Sequence, residues 1–255
     1  PNDSVKGSAV ELYVLFTVGI AFFCGGVVKG VVGMGLPLTA IALMTIVIDF
    51  EIAIPLLLVP IIVTNLIQAV QGGNFKNLIR KFWGMLLAAG VGIFVGAYAL
   101  YRLDPTYLLI GLGIVVCLYS INNLLTFRFS ISENSIPLVS PFVGLLSGFL
   151  AGTTGAVGIP IAIYFQLLKM KKNIFVQAVG IQFLFTGLVL TFALFREGGL
   201  QNNAIIGSTI ALIPTALGMW FGWLIRNRVS EEKFRVCLYF VLLFIGLNLI
   251  RKGIF

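Results

Sequence analysis

Runs of apolar residues with at most one charge, at an end, separated by short polar or glycine-rich breaks, set the plan of this chain. Val10–Val28 comes first, and Leu36–Ile48 follows after a glycine-rich interruption. Ile52–Val70, Phe82–Tyr101 and Tyr107–Phe127 come next. Each is close to the roughly 20 residues with which a helix crosses a hydrocarbon core. The rhythm then repeats. Ile136–Ala151 and Ile159–Leu168 are both short, and Ile174–Phe195, Ala204–Ile225 and Phe234–Ile250 are longer. Apolar and polar residues do not alternate within the runs, so helices are predicted and a strand barrel is disfavoured. Val10–Phe23 reads as a membrane segment rather than a cleaved leader, because its apolar character continues and it has a counterpart later.

The repetition extends to individual residues. Gly26, Gly30 and Gly33 recur as Gly148, Gly152 and Gly155. Gly35 and Pro37 recur as Gly158 and Pro160 after one inserted residue. Thr64 recurs as Thr186, and Gly92, Gly96 and Asn122 recur as Gly218, Gly222 and Asn248. The composite pattern points to an internal duplication.

Loop charges give the two copies opposite orientations. Asp49-Phe50-Glu51 is acidic, whereas its counterpart Lys169-Met170-Lys171-Lys172 is basic. Lys76, Arg80 and Lys81 mark one loop, and the counterpart Glu197–Asn203 carries no positive charge. Arg102–Asp104 is balanced, while Arg226, Arg228, Lys233 and Arg235 outweigh Glu231 and Glu232. Because Lys and Arg concentrate in cytoplasmic loops, corresponding loops fall on opposite sides. Both termini then face outward. The expected fold is an all-α polytopic membrane protein of two inverted-topology repeats. Each repeat has a Gly/Pro-broken short or re-entrant helix pair followed by three spanning helices. Residues 1–8 form an N-terminal tail, 9–127 the first repeat, 128–136 a linker, 137–252 the second repeat and 253–255 a C-terminal tail.

Composition agrees. Of the 255 residues, 59% are hydrophobic and 10% charged, against about 45–50% and about 25% in soluble domains. The mean hydropathy is +1.08. The net charge of +8 is that of cytoplasmic loops, not of a nucleic-acid surface. Histidine is absent, which removes the commonest metal ligand and general base. Cys24, Cys117 and Cys237 lie far apart, with neither metal-ligand nor disulfide spacing. No Walker A sequence is present, so the chain itself hydrolyses no ATP. No cofactor, metal or enzymatic activity is expected.

Every acid lies near the end of an apolar run or between runs; of the 17 Lys and Arg, only Lys29 lies deep within one. Such a residue costs about 2.5–3.5 kcal/mol on insertion scales. Lys29 either snorkels at a helix end or faces an aqueous cavity and attracts an anion. The glycines present a similar choice. They either bring helices close or break them at depth, freeing N–H groups that suit an anion. Pro37 and Pro160 fit the first turn of a following helix, where an N–H is dispensable. Gly33, Gly35, Gly155 and Gly158 permit close backbone approach, and Thr153 and Thr154 add hydroxyls. A second polar layer comprises Thr64, Asn65, Gln68, Gln177, Gln182 and Thr186.

These paired motifs, Gly26–Pro37 and Gly148–Pro160, with the Gly92/Gly96 and Gly218/Gly222 helices after them, resemble the TauE/SafE family of sulfite and organosulfonate exporters. That family is also called the 4-toluene sulfonate uptake permease group. The likeness runs from about Val10 to Ile250. It implies a multi-pass carrier of the plasma (inner) membrane for sulfite, sulfoacetate or related sulfonates. The substrate-binding set expected is Lys29, Gly33, Gly35, Pro37, Asn65, Gln68, Thr153, Thr154, Gly155, Gly158, Pro160, Gln182 and Thr186. The expected partners are the lipid bilayer and a small sulfur-containing anion, with no nucleic acid; a homodimer is compatible. An anion channel and a non-transporting subunit of a larger assembly are the alternatives.

Overall fold

In a computed structural model, residues 2–125, 131–155, 158–226 and 231–254 are described. Arg228 and the start of the linker, 128–130, lie outside them. Twelve α-helices and no strand occur among the described residues. The first half comprises α1 (Asn2–Val32), α2 (Leu36–Met44), α3 (Phe50–Leu56), α4 (Leu58–Val70), α5 (Phe75–Leu100) and α6 (Pro105–Leu124). The second comprises α7 (Ile136–Thr154), α8 (Ile159–Leu167), α9 (Lys172–Arg196), α10 (Asn202–Ile210), α11 (Leu212–Arg226) and α12 (Glu231–Ile254). Six helical stretches are long and apolar enough to cross a membrane: Tyr13–Val32, Phe50–Val70, Phe75–Leu100, Glu133–Thr154, Asn173–Arg196 and Asn202–Ile225. Thr106–Asn122 is a shorter apolar helix. The chain is a helical multi-pass membrane protein.

The glycine motifs divide each opening pair unequally. The 31-residue α1 and 19-residue α7 are full-length helices, so Ile136–Ala151 is the core of a longer element than its charge-free run suggests. By contrast, α2 and α8 have nine residues each. At 1.5 Å per residue they reach about 14 Å, half of a hydrocarbon core about 30 Å thick. The reason lies in the caps. Gly35 and Gly158 hold φ of 101° and 107° immediately before α2 and α8, a conformation that side chains with a Cβ resist. Pro37 and Pro160 then preset φ in the first turn without removing a needed donor.

The next spans are broken differently. Pro60 has no N–H for the carbonyl of Leu56, so the helix breaks at Leu57 between α3 and α4. Ser208 of α10 repairs the gap from the other half. Its hydroxyl donates to Leu56 O at 2.8 Å and accepts from Val59 N at 2.9 Å. In α5, Phe82 departs from helical geometry (φ −116°, ψ 19°) and kinks the helix.

The halves interlock in equivalent pairs. α1 packs on α11 and α5 on α7, while α4 meets α9 and α6 meets α12. Glycines set the first two contacts. A Cβ on Gly26 or Gly30 would strike α11 backbone at Thr215 and Met219, and one on Gly218 or Gly222 would strike α1 backbone at Phe23 and Val27. Gly92 and Gly96 of α5 meet Leu145–Thr153 of α7 in the same way, and Gly148 and Gly152 meet Ala89 and Ile93. Leu217, Trp220 and Trp223 remain exposed on α11, and Leu87, Val91 and Tyr98 on α5. That apolar surface is what a bilayer solvates.

Candidate functional site

The two helix breaks converge. Gly35 and Gly158 line one cavity of about 420 Å³, its open mouth included. Val28 and Val32 of α1, Phe183 of α9, Tyr119 of α6 and Tyr239 of α12 complete the walls. Both helices point their N-termini here. Their first backbone bonds run from Thr39 N to Gly35 O (3.0 Å) and from Ala162 N to Gly158 O (2.8 Å). First-turn N–H groups therefore have no acceptor within the helix, and the helix dipole adds partial positive charge. Thr39, buried on the same wall, has a hydroxyl with no hydrogen-bond partner. Thr39 was not among the residues expected from sequence. Its signal was a hydroxyl two residues after Pro37 in a run of apolar residues.

Lys29 faces a different neighbour. Val28 and Val32 are one helical turn apart and turn to the cavity; Lys29 and Gly33 are turned away from it, toward α4 and α9. Lys29 is 2% exposed, and its Nζ donates to Asn65 Oδ1 at 2.6 Å. Asn65 Nδ2 donates to Ile61 O at 2.8 Å, which fixes the amide so that its oxygen meets the lysine. One turn on, Gln68 Nε2 donates to Gly33 O at 2.7 Å, and its Oε1 is unpartnered. Gly33 itself holds φ of 87° and abuts Val176. The ion pairs among the described residues are Lys81–Glu133 and Arg102–Glu197, both at helix ends. Lys29 is thus a buried amine whose described partner is a neutral amide.

The other expected residues scatter. Gly155, with φ of 67°, packs under Ile41, Ile54 and Leu57. Thr153 and Thr154 donate back to carbonyls of α7, at Phe149 O and Leu150 O respectively. Gln182 is buried, with both amide atoms unpartnered, in a separate cavity against Phe82 and Phe165. Thr186 is buried on α9, beside the close crossing of Gly187 over Ile61 and Ile62. Gln177 is tied to the end of α4, donating to Ala69 O and accepting from Asn74 N. Among the described residues no three His, Cys, Asp or Glu side chains gather as a metal set.

Outside the spans, charges organise the helix ends. Arg102 bonds Glu197 at 2.9 Å and stacks over the Tyr98 ring. Asp104 caps α6 by accepting from Thr106 N at 2.8 Å, and this bond holds its carboxyl below the usual carboxylate range.

No curated relative and no solved structure matches the chain. The model of one family, sulfite exporter TauE/SafE, matches residues 18–249. That range takes in both glycine motifs, the converging breaks, the second half of α1 and all but the last residues of α12. The family is one of transporters, not enzymes. The chain therefore belongs to the TauE/SafE family and is a multi-pass membrane transporter of the sulfite/anion exporter class.

Proposed function

We propose that this protein is a secondary carrier of the plasma membrane that moves small sulfur oxyanions or sulfonates by alternating access. One observation carries the reading: Lys29 is buried, and its described partner is the neutral Asn65 amide. An isolated buried charge is costly, so the Lys29 amine, when protonated, needs a counter-ion. A mobile anion supplies it. Asn65 holds the amine in place, Gln68 holds the break at Gly33, and the N-termini of α2 and α8 offer neutral donors in the separate cavity between the breaks. Thr153, Thr154 and Thr186 shape the surrounding helices.

The halves are inverted repeats in this reading. The exchange of equivalent partners, α1 on α11 and α7 on α5, supports it, as does the sign reversal of corresponding loops. Rocking one set of helices against the other about Gly26, Gly30, Gly148 and Gly152 would open the site to each side in turn.

Counterflow in proteoliposomes tests the proposal. Vesicles preloaded with sulfite, sulfoacetate, sulfate or chloride are offered labelled sulfite, with Lys29→Ala as control. Saturable exchange that is lost in the control is expected. Conductive flux without counterflow would replace the carrier by a channel, and absence of flux for every anion would overturn transport by this chain alone.

A further inference from the structure

Lys29 is sealed inside the protein with little to balance a charge. Among the described residues its Nζ makes one hydrogen bond, to Asn65 Oδ1, and no ion pair. An ammonium brings three N–H groups and a full charge to that spot. A neutral amine makes the same bond to Asn65 with one of its two N–H groups and has no charge to balance. Isolated charge in a water-free interior is costly, so the neutral form suits this closed arrangement better.

Among the described residues, no helix packed around Lys29 carries a carboxylate at its depth. α2 and α4 contain no ionisable residue. α9 has Lys172 and Arg196 at its two ends, and α11 has Arg226 as its last residue. The charged residues of α12 are Glu231, Glu232, Lys233 and Arg235 at its start and Arg251 and Lys252 in its last turn. On α1 itself Glu11 lies about 27 Å back along the helix, and Lys6 and Asp3 farther still. Cys24 of α1 and Cys237 and Tyr239 of α12 belong to classes that are uncharged near neutral pH. Tyr239 lines the break cavity, from which Lys29 is turned away.

We propose that Lys29 makes this protein a proton–anion symporter, its amine neutral while no anion is bound and taking up one proton with each anion. The inference rests on the reading of Lys29 as the anion-binding residue of a carrier. On the loading side, with the helices parted, the amine takes a proton from the aqueous phase and the ammonium pairs with the anion. One N–H bond forms, and nothing is oxidised or reduced. On the far side the anion leaves, the ammonium loses its counter-ion and the N–H bond breaks, returning the proton to water. The neutral amine then closes against Asn65 for the return. Proton and anion each favour binding of the other, as linkage requires. The second half has Ala151 and Gly187 at the positions equivalent to Lys29 and Asn65. One proton therefore accompanies each anion, and carriage of a monoanion moves no net charge.

Nitrogen NMR of the purified full chain, made with isotope-labelled lysine, reads the protonation state directly. In mildly alkaline buffer exposed lysines stay ammonium. One Nζ signal, absent from Lys29→Met, should lie at the neutral-amine position and move to the ammonium position when sulfite is added. An ammonium position before sulfite is added overturns the coupling and leaves the carrier reading standing. Proteoliposomes with a trapped pH dye and a clamped membrane potential give the second readout. Net entry of labelled sulfite into parent vesicles should acidify the lumen by one proton per sulfite. Lys29→Arg holds a proton it cannot release, so it should keep sulfite counterflow but lose net uptake and acidification. Acidification by Lys29→Arg equal to the parent's would place the proton on the anion and overturn the role of Lys29. Parent counterflow whose net uptake brings no acidification overturns the coupling alone. A parent without sulfite counterflow overturns the carrier reading, and this inference with it.

Discussion

Lys29 and Asn65, 36 residues apart, meet at 2.6 Å inside the protein, and the amide is oriented to face the amine by its own bond to Ile61 O. The pair belongs to one half only. At the positions equivalent to Lys29 and Asn65 the second half has Ala151 and Gly187. The repeat thus supplies the frame, and this asymmetric pair supplies the charge.

Stability and transport should separate at this pair. Replacing a buried ionic group by an apolar one of similar shape is often neutral or stabilising. Lys29→Met is therefore expected to melt no lower than the parent in detergent while losing anion counterflow. Asn65→Asp places a fixed carboxylate where the neutral oxygen stood. It should occupy the ammonium permanently and weaken sulfite binding at least about tenfold. Unchanged binding in both variants would remove Lys29 from the anion site.

Interface glycines should be the least replaceable residues in the protein. Gly92→Ala and Gly148→Ala drive a methyl into α7 and α5 backbone, and Gly218→Ala drives one into α1. Backbone cannot rotate aside as a side chain can, so each should cost at least about 1–3 kcal/mol, the range for overpacked cores. Gly19 has nothing within 4 Å of its added Cβ. Gly19→Ala should be neutral or stabilising by up to about 1 kcal/mol, since alanine is the better helix former. Thermal melts of the four variants compare these directly, and equal melting temperatures would contradict the packing account.

The sequence motif read as one unit has two physical roles. Gly26, Gly30, Gly148 and Gly152 are contacts between halves, whereas Gly33, Gly35, Gly155 and Gly158 break helices at positive φ. Spacing alone could not divide them, because both roles ask only for a missing Cβ. Lys29 and Asn65 were legible as polar residues at depth, since few things keep such groups there. Their hydrogen bond was not, because rotation of α1 against α4 depends on tertiary packing. Thr153 and Thr154 were legible as hydroxyls near a break, but a helical threonine can always satisfy itself on its own turn. Gln182 was grouped with Gln68 by depth, yet helix phase sends it to another cavity.

The cap on α6 gives a pH signature. The Thr106 N–H bond favours the charged form of Asp104 and lowers its carboxyl affinity for protons. A carboxylate depressed in the folded state contributes stability above its unfolded value and loses it as pH falls through the folded one. The melting-temperature gap between the parent and Asp104→Ala should therefore be constant at neutral pH and close in acid. A gap that widens in acid would rule out the carboxylate as the cap.

Sidedness offers the sharpest check on the inverted arrangement, because three independent contacts predict it. Lys81, at the start of α5, bonds Glu133 of the linker at 2.9 Å. Ile131 N of the same linker bonds Leu167 O at the end of α8. Phe82 and Phe165 pack between those elements, their rings tilted by 56°. The loops carrying Lys76 and Lys171 are thereby held at one end of the molecule. At the other end of α5, Arg102 bonds Glu197 after α9. In a background lacking native cysteines, Lys76→Cys and Lys171→Cys should react with an impermeant thiol reagent from one side of the membrane, and Glu197→Cys from the other. Cytoplasmic exposure of the first two is expected, since Lys and Arg gather there. Labelling of Lys76→Cys and Lys171→Cys from opposite sides would dismantle the repeat orientation. Labelling of all three from one side would mean that α5 and α9 do not span, and with them would go the alternating-access carrier.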